Sequence, residues 1–201
     1  MVIPGRGAWP FAPTMPIFRH TAAAPTPISP WTTMTSTTER PRGAMAPWSP
    51  LRAIVTGGFI AGACDMSYAL IWFSAVKGVA WIKIPQSVAS GLIGKSSFDG
   101  GIATAMLGFG LHWLLAFIWT AIYLWVGRKL LPPLLRKPIP WGIAYGAWIY
   151  FFMNWVVLPL DAMHTQPHFI PYDTWFSGLA VHMFAIGLAI SLSASRTVRR
   201  S

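Results

Sequence analysis

Asp65, His112, Asn154 and His182 stand out in this sequence because each is a strongly polar side chain inside a long apolar run. An ionisable group near the middle of a bilayer costs about 2.5–3.5 kcal/mol on insertion scales, so it is rarely left facing lipid. A carboxylate grouped with histidines can pass protons or hold a small solute, since imidazole changes charge near neutral pH. Other chemistry is open to the same residues. His112 and His182 on facing helices would form the axial pair of a bis-histidine haem, with Gly108 and Gly178 one turn away making room. Asp65, His112 and His182 are also suitable ligands for a transition metal. The plainest use is structural: polar side chains glue membrane helices by hydrogen bonds worth about 0.6 kcal/mol on average.

The elements that must position these residues are helices in lipid. The chain is 54% hydrophobic and only 10% charged, against about 25% charged in a soluble domain. Too little polar surface is present to cover a water-soluble globule. Four apolar segments follow Leu51: Ala53–Val76, Gly101–Val126, Trp141–Leu160 and Trp175–Ser195. Each is long enough at 1.5 Å per residue to cross a ~30 Å hydrocarbon core. Only helices do this without leaving backbone groups unpaired in lipid. Measured from the outer ends of these spans, Asp65 and His112 lie ~16 Å deep, His182 ~11 Å and Asn154 ~9 Å, so one shared polar layer is feasible.

The faces agree for three of the four. Asp65 shares its helix face with Gly58, Ala61, Gly62 and Ala69; His112 with Ala105, Gly108 and Ala116; His182 with Gly178, Ala185 and Ala189. Small residues let membrane helices approach closely. Gly58-x-x-x-Gly62 and Gly142-x-x-x-Gly146 have the spacing of a membrane packing motif. Asn154 is flanked instead by Tyr150, Phe151 and Leu158.

Orientation follows from the basic residues. Arg40, Arg42, Arg52, Arg128, Lys129, Arg136, Lys137, Arg196, Arg199 and Arg200 fall on one side of a four-span chain; Lys77, Lys83 and Lys95 fall on the other. The positive-inside rule then puts both termini in the cytoplasm. Trp48, Trp125 and Trp141 mark the inner interface, and Trp72, Trp81, Tyr172 and Trp175 the outer one. The net charge of +10 does not indicate nucleic acid, because the cations form short clusters between apolar runs rather than one stripe.

In the first outer loop, Pro85 can open a helix, and Ile84, Val88 and Leu92 recur at i, i+4, i+8 with Gln86, Ser87 and Ser90 elsewhere. This predicts a short amphipathic helix that lies on the membrane or caps the bundle, ended by Gly94 and Gly100–Gly101. Within it, Ala89 to Ser96 matches a relaxed phosphate-loop pattern. That motif needs a preceding strand and a carboxylate for magnesium, and neither is predicted here. In the second outer loop, Pro159 should end or kink the third span, and His164 and His168 follow among prolines. Exposed loop histidines seldom bind metal. The lone Cys64 reads as a small packing residue.

Residues 1–50 differ in kind. Ten prolines, from Pro4 to Pro50, are interleaved with Thr and Ala. That density prevents a helix or a packed sheet and predicts a disordered cytoplasmic tail. No basic segment leads into an apolar one, so no secretory signal is read. Met34 and Met45 are alternative start positions to Met1.

The second half resembles the YagU-like group of bacterial inner-membrane proteins. The resemblance rests on His112 in the second span, Trp141-Gly142 opening the third, Gly146, the Pro159-Leu160 step, a Pro-containing outer loop, and His182 early in the fourth span with arginines after it. The group's pattern has Gly before that last histidine, where this chain has Val181. The resemblance implies a bacterial inner membrane and supplies no reaction or ligand.

The expectation is thus an all-α integral membrane four-helix bundle over residues 51–201, with an interfacial helix and a disordered tail. Its buried Asp65–His112–His182 layer, with Asn154 as a further candidate, would handle protons or a small solute. The alternatives are a structural or accessory subunit and, third, a haem or metal carrier. No cofactor is expected, and no H-E-x-x-H, G-x-S-x-G or Cys pair indicates an enzyme class. The expected partners are lipid and a second copy or another membrane protein.

Overall fold

A computed structural model describes residues 46–166 and 171–198. Among the described residues all regular secondary structure is helical, without a strand. Four helices are long and apolar enough to cross a membrane, the architecture of a multi-pass membrane protein: α1 (Pro50–Val76), α3 (Gly101–Lys129), α5 (Pro138–Leu160) and α6 (Tyr172–Ser195). Between them lie α2 (Lys83–Ile93) and the single turn α4 (Pro133–Arg136). The tail over residues 1–45, together with His168, Arg199 and Arg200, lies outside the described residues.

Three spans start earlier than the apolar pattern predicts, and each starts at or directly after a proline. Pro50 and Pro138 occupy the first turns of α1 and α5, and Pro171 precedes α6. Proline is pre-set for a first turn and lacks an N–H that would go unpaired there. Ser49 completes the start of α1, its Oγ accepting from Arg52 N–H at 3.2 Å. α3 runs on past the expected Val126 to Lys129, where cations suit a helix C-terminus.

α1 and α6 pack closely on each other. α3 lies against α1, and α5 against α6. Small residues make these seams. Gly58 and Gly62 of α1 face Phe117, Trp113 and Ala116 of α3; Gly142 and Gly146 of α5 face Gly187, Ser191 and the His182 backbone of α6. The gap between α3 and α5 is filled by rings instead. Tyr145 stacks on Trp148, Trp148 meets Trp119 edge-on, and the Tyr145 hydroxyl donates to Trp119 O at 2.8 Å. Below them the fully buried Tyr123 donates to Leu134 O of α4 at 2.9 Å. At the same end the indole of Trp48 is flanked by the guanidinium groups of Arg52 and Arg196, at 4.4 and 4.8 Å. Trp48 N–H also donates to Arg196 O at 2.8 Å. The start of α1 is thereby fastened to the end of α6.

Three spans contain wider π-helical stretches: Leu70–Val76, Met153–Val157 and His182–Ile186. The second has an evident cause. Pro159 has no N–H for the carbonyl four residues back, and its ring crowds that carbonyl, so the helix widens just before it.

The helix expected in the loop between the first two spans forms, and its small-residue side packs inward against the bundle. Pro85, Gln86, Ala89 and Ser90 are buried along with Ile84, whereas Leu92 is 61% exposed. The reason is close approach: Pro85 and Ala89 rest directly on Gly108 of α3. Only small side chains fit that contact, and Gln86 is accommodated because its amide donates to Gly101 O at 2.9 Å and Thr104 Oγ1 at 3.2 Å. α2 is therefore part of the bundle wall. Its far end is tied to the loop after α5 by Ala162 N–H donating to Gly91 O at 3.0 Å. Gly94 and Gly101 take positive φ at 71° and 59°, where the chain turns into α3.

Candidate functional site

Two of the four polar residues singled out within the spans, all four half-buried, share a cavity. It has a volume of about 380 Å³ and lies between α1, α2 and α3. Asp65 comes from α1, His112 from α3, and Lys83 and Ser87 from α2, with Phe73, Val79, Val88 and Phe98 among the apolar walls. The volume falls within the usual range of small-molecule sites, about 300–1,000 Å³.

The local fold explains the placement. Gly62 brings α1 so close to α3 that His112 reaches its backbone: Nε2 lies 3.0 Å from Gly62 O. A carbonyl only accepts, so Nε2 carries the hydrogen and donates it. Asp65 sits one turn along α1 on the same face, and its Oδ2 is 3.9 Å from the same Nε2. That distance marks an ion pair when the imidazole is protonated, but it is too long for a hydrogen bond. Among the described residues no hydrogen bond reaches the Asp65 carboxylate, and its side chain remains 29% exposed. It is thus the least satisfied polar group in the cavity.

His182 and Asn154 are not in this cavity. His182 Nδ1 donates to Gly178 O of its own helix at 2.9 Å, and the ring lies 5.1 Å from that of Tyr150. Asn154 Nδ2 donates to Tyr150 O, also four residues back, at 2.8 Å. Both sit in π-helical stretches, where a polar side chain that adds a bond to a nearby carbonyl helps hold the widened turn. The expected Asp65–His112–His182 layer therefore divides into an α1–α3 pair and a separate histidine. Among the described residues no three His, Cys, Asp or Glu side chains converge as metal ligands, so the Asp65–His112–His182 ligand set does not assemble. In the second loop, His164 Nδ1 donates to Pro159 O at 3.3 Å.

The contribution of α2 was not legible in the sequence. Lys83 and Ser87 read as loop and amphipathic-helix residues, and only the seat of Pro85 on Gly108 turns them toward Asp65. Lys83 Nζ donates to Phe98 O at 2.9 Å and lies 5.3 Å from the Phe98 ring centroid. A second group was also missed, on the α1–α6 seam. Tyr68 Oη lies 2.8 Å from Ser177 Oγ, Trp72 Nε1 donates to Thr174 Oγ1 at 3.1 Å, and Lys77 pairs with Asp173 at 2.6 Å. These bonds lock α1 to α6 beside the cavity without entering it. The site stands on its geometry alone, since no family model, curated protein or solved structure matches the chain.

Proposed function

We propose that this chain is a bacterial inner-membrane protein that handles protons or a small solute at the Asp65–His112 cavity, with both termini in the cytoplasm. One observation carries the reading: a partly exposed carboxylate to which no hydrogen bond is described, and a histidine 3.9 Å from it on a different span, line one cavity. A carboxylate kept inside the membrane without hydrogen bonds is costly for structure alone and useful for exchange. The likeness to the YagU-like group favours the inner membrane. Orientation rests on the bias of the basic residues: Arg52, Arg128, Lys129, Arg136, Lys137 and Arg196 lie at the end of the bundle away from α2, against Lys77, Lys83 and Lys95 at the α2 end.

The test is proton flux into vesicles containing the purified protein, read by an entrapped pH dye after a pH jump. The wild type should exceed protein-free vesicles, and Asp65→Asn should abolish the excess. A specific observation favours a second reading, in which the polar residues only join helices: His112, Asn154 and His182 all bond to helix backbone. On that reading Asp65→Asn is silent and Asp65→Leu alone lowers thermal stability, because Asn still hydrogen-bonds. Flux unchanged by Asp65→Asn would remove the proton reading.

Topology has its own measurement. In a Cys64→Ala background, a cysteine at Thr165 should react with an impermeant reagent added outside cells, and one at Arg136 should not. Reaction at Arg136 from outside would reverse the orientation and turn the α2 end of the bundle toward the cytoplasm.

A further inference from the structure

Asp65 and Lys83 line the same cavity with opposite charges, yet no ion pair joins them. Among the described residues no carboxylate lies within ion-pair distance of the Lys83 ammonium. Its described hydrogen bond, to Phe98 O, uses one of three donors. Among the described residues none donates a hydrogen bond to the Asp65 carboxylate. Apart from Ser87 and His112 the rest of the lining is apolar, with Met66, Phe73, Val88 and Phe98 among it. A cavity that presents an acidic and a basic side chain on otherwise mostly apolar walls is complementary to a molecule that carries both opposite charges and can pair with both at once.

We infer that the cavity binds a small zwitterion with an apolar body, an amino-acid-like molecule whose ammonium meets Asp65 and whose carboxylate meets Lys83. The inference rests on the small-solute form of the function proposed above and names its substrate class. His112 holds the Asp65 end in shape. Its Nε2–H is given to Gly62 O, so it anchors α3 to α1 beside the carboxylate. The volume of about 380 Å³ admits a molecule of this kind with its side chain against Phe73 and Phe98. α2 supplies the anion-binding end, so recognition depends on its position over α3.

The experiment is a binding titration on the full chain in lipid nanodiscs, with calorimetry and thermal shift as readouts. The probes are leucine and phenylalanine, with leucinamide (ammonium only) and 4-methylpentanoate (carboxylate only) as single-charge controls. At least one zwitterion should bind, with each single-charge control about tenfold or more weaker, the loss expected for one charge-assisted hydrogen bond. Asp65→Asn and Lys83→Met should each weaken zwitterion binding by about tenfold or more. Lys83→Arg should restore most of it, which separates charge from packing. Melting of the ligand-free variants checks that they fold. Equal binding of zwitterion and single-charge probes, or no binding of either zwitterion, overturns the inference. Asp65-dependent proton flux would survive that result if only the substrate class is wrong. Loss of both would remove the proposed function as well.

Discussion

Gly146→Ala is expected to cost about 1–3 kcal/mol of stability, the usual penalty for forcing an extra carbon into a packed core. Gly146→Leu should leave no folded protein. Gly146 of α5 meets the His182 carbonyl and the Met183 Cα of α6, so an added Cβ would overlap backbone that cannot rotate away. Gly187 approaches Gly142 O and the Gly146 backbone from the other side. The crossing is glycine against glycine, and in lipid such packing is what holds helices together, since lipid tails are as apolar as side chains. Gly110 is the control. Nothing lies within 4 Å of a Cβ there, so Gly110→Ala should be neutral or mildly stabilising by its better helix propensity. The measurement is thermal unfolding in detergent, followed by circular dichroism. Equal melting of the Gly146 and Gly110 variants would mean that the α5–α6 crossing is looser than described.

Gly108→Ala is expected to lift α2 from α3 and dismantle the cavity. The added methyl group would meet the Pro85 carbonyl, which is backbone near the start of α2. Because α2 has chain turns at both ends, with positive φ at Gly78 and Gly94, it should shift as a unit rather than distort the span. Stability should fall by about 1–3 kcal/mol, and both Lys83 and Ser87 should leave the site. A cysteine at Ser90, which is 4% exposed, reports the movement in a Cys64→Ala background. It should be protected from a maleimide reagent when Gly108 is intact and react rapidly in Gly108→Ala. Slow reaction in both would show that α2 tolerates the substitution in place, and the cavity would then need no support from Gly108.

These two glycines mark the boundary between what was readable along the chain and what was not. The sequence by itself determined the solvent and the architecture. A chain this apolar, cut by short basic clusters into four segments of membrane length, has only the helical bundle open to it, because lipid leaves no other way to pair the backbone. It also determined which residues were worth following: Asp65, His112, Asn154 and His182 stand out because polar groups are expensive in lipid. The glycine pairs on α1 and α5 were legible as close-packing seams for the same kind of reason, a fixed spacing on one helix face.

Partnership was decided only in three dimensions. Face periodicity assumes a constant 3.6 residues per turn, and the π-helical stretches at Leu70–Val76, Met153–Val157 and His182–Ile186 rotate everything beyond them. His182 and Asn154 lie inside two of these stretches and turn to carbonyls four residues back instead of to Asp65. The same limit applied to α2. Its apolar stripe of Ile84, Val88 and Leu92 suited a helix lying on the membrane or capping the bundle, but the contact with Gly108 put the small face inward, buried Gln86 and Ser90 with it, and left Lys83 and Ser87 on the cavity. Which helix face is buried depends on the shape of the surface it meets, and that surface is made by residues far away in the chain.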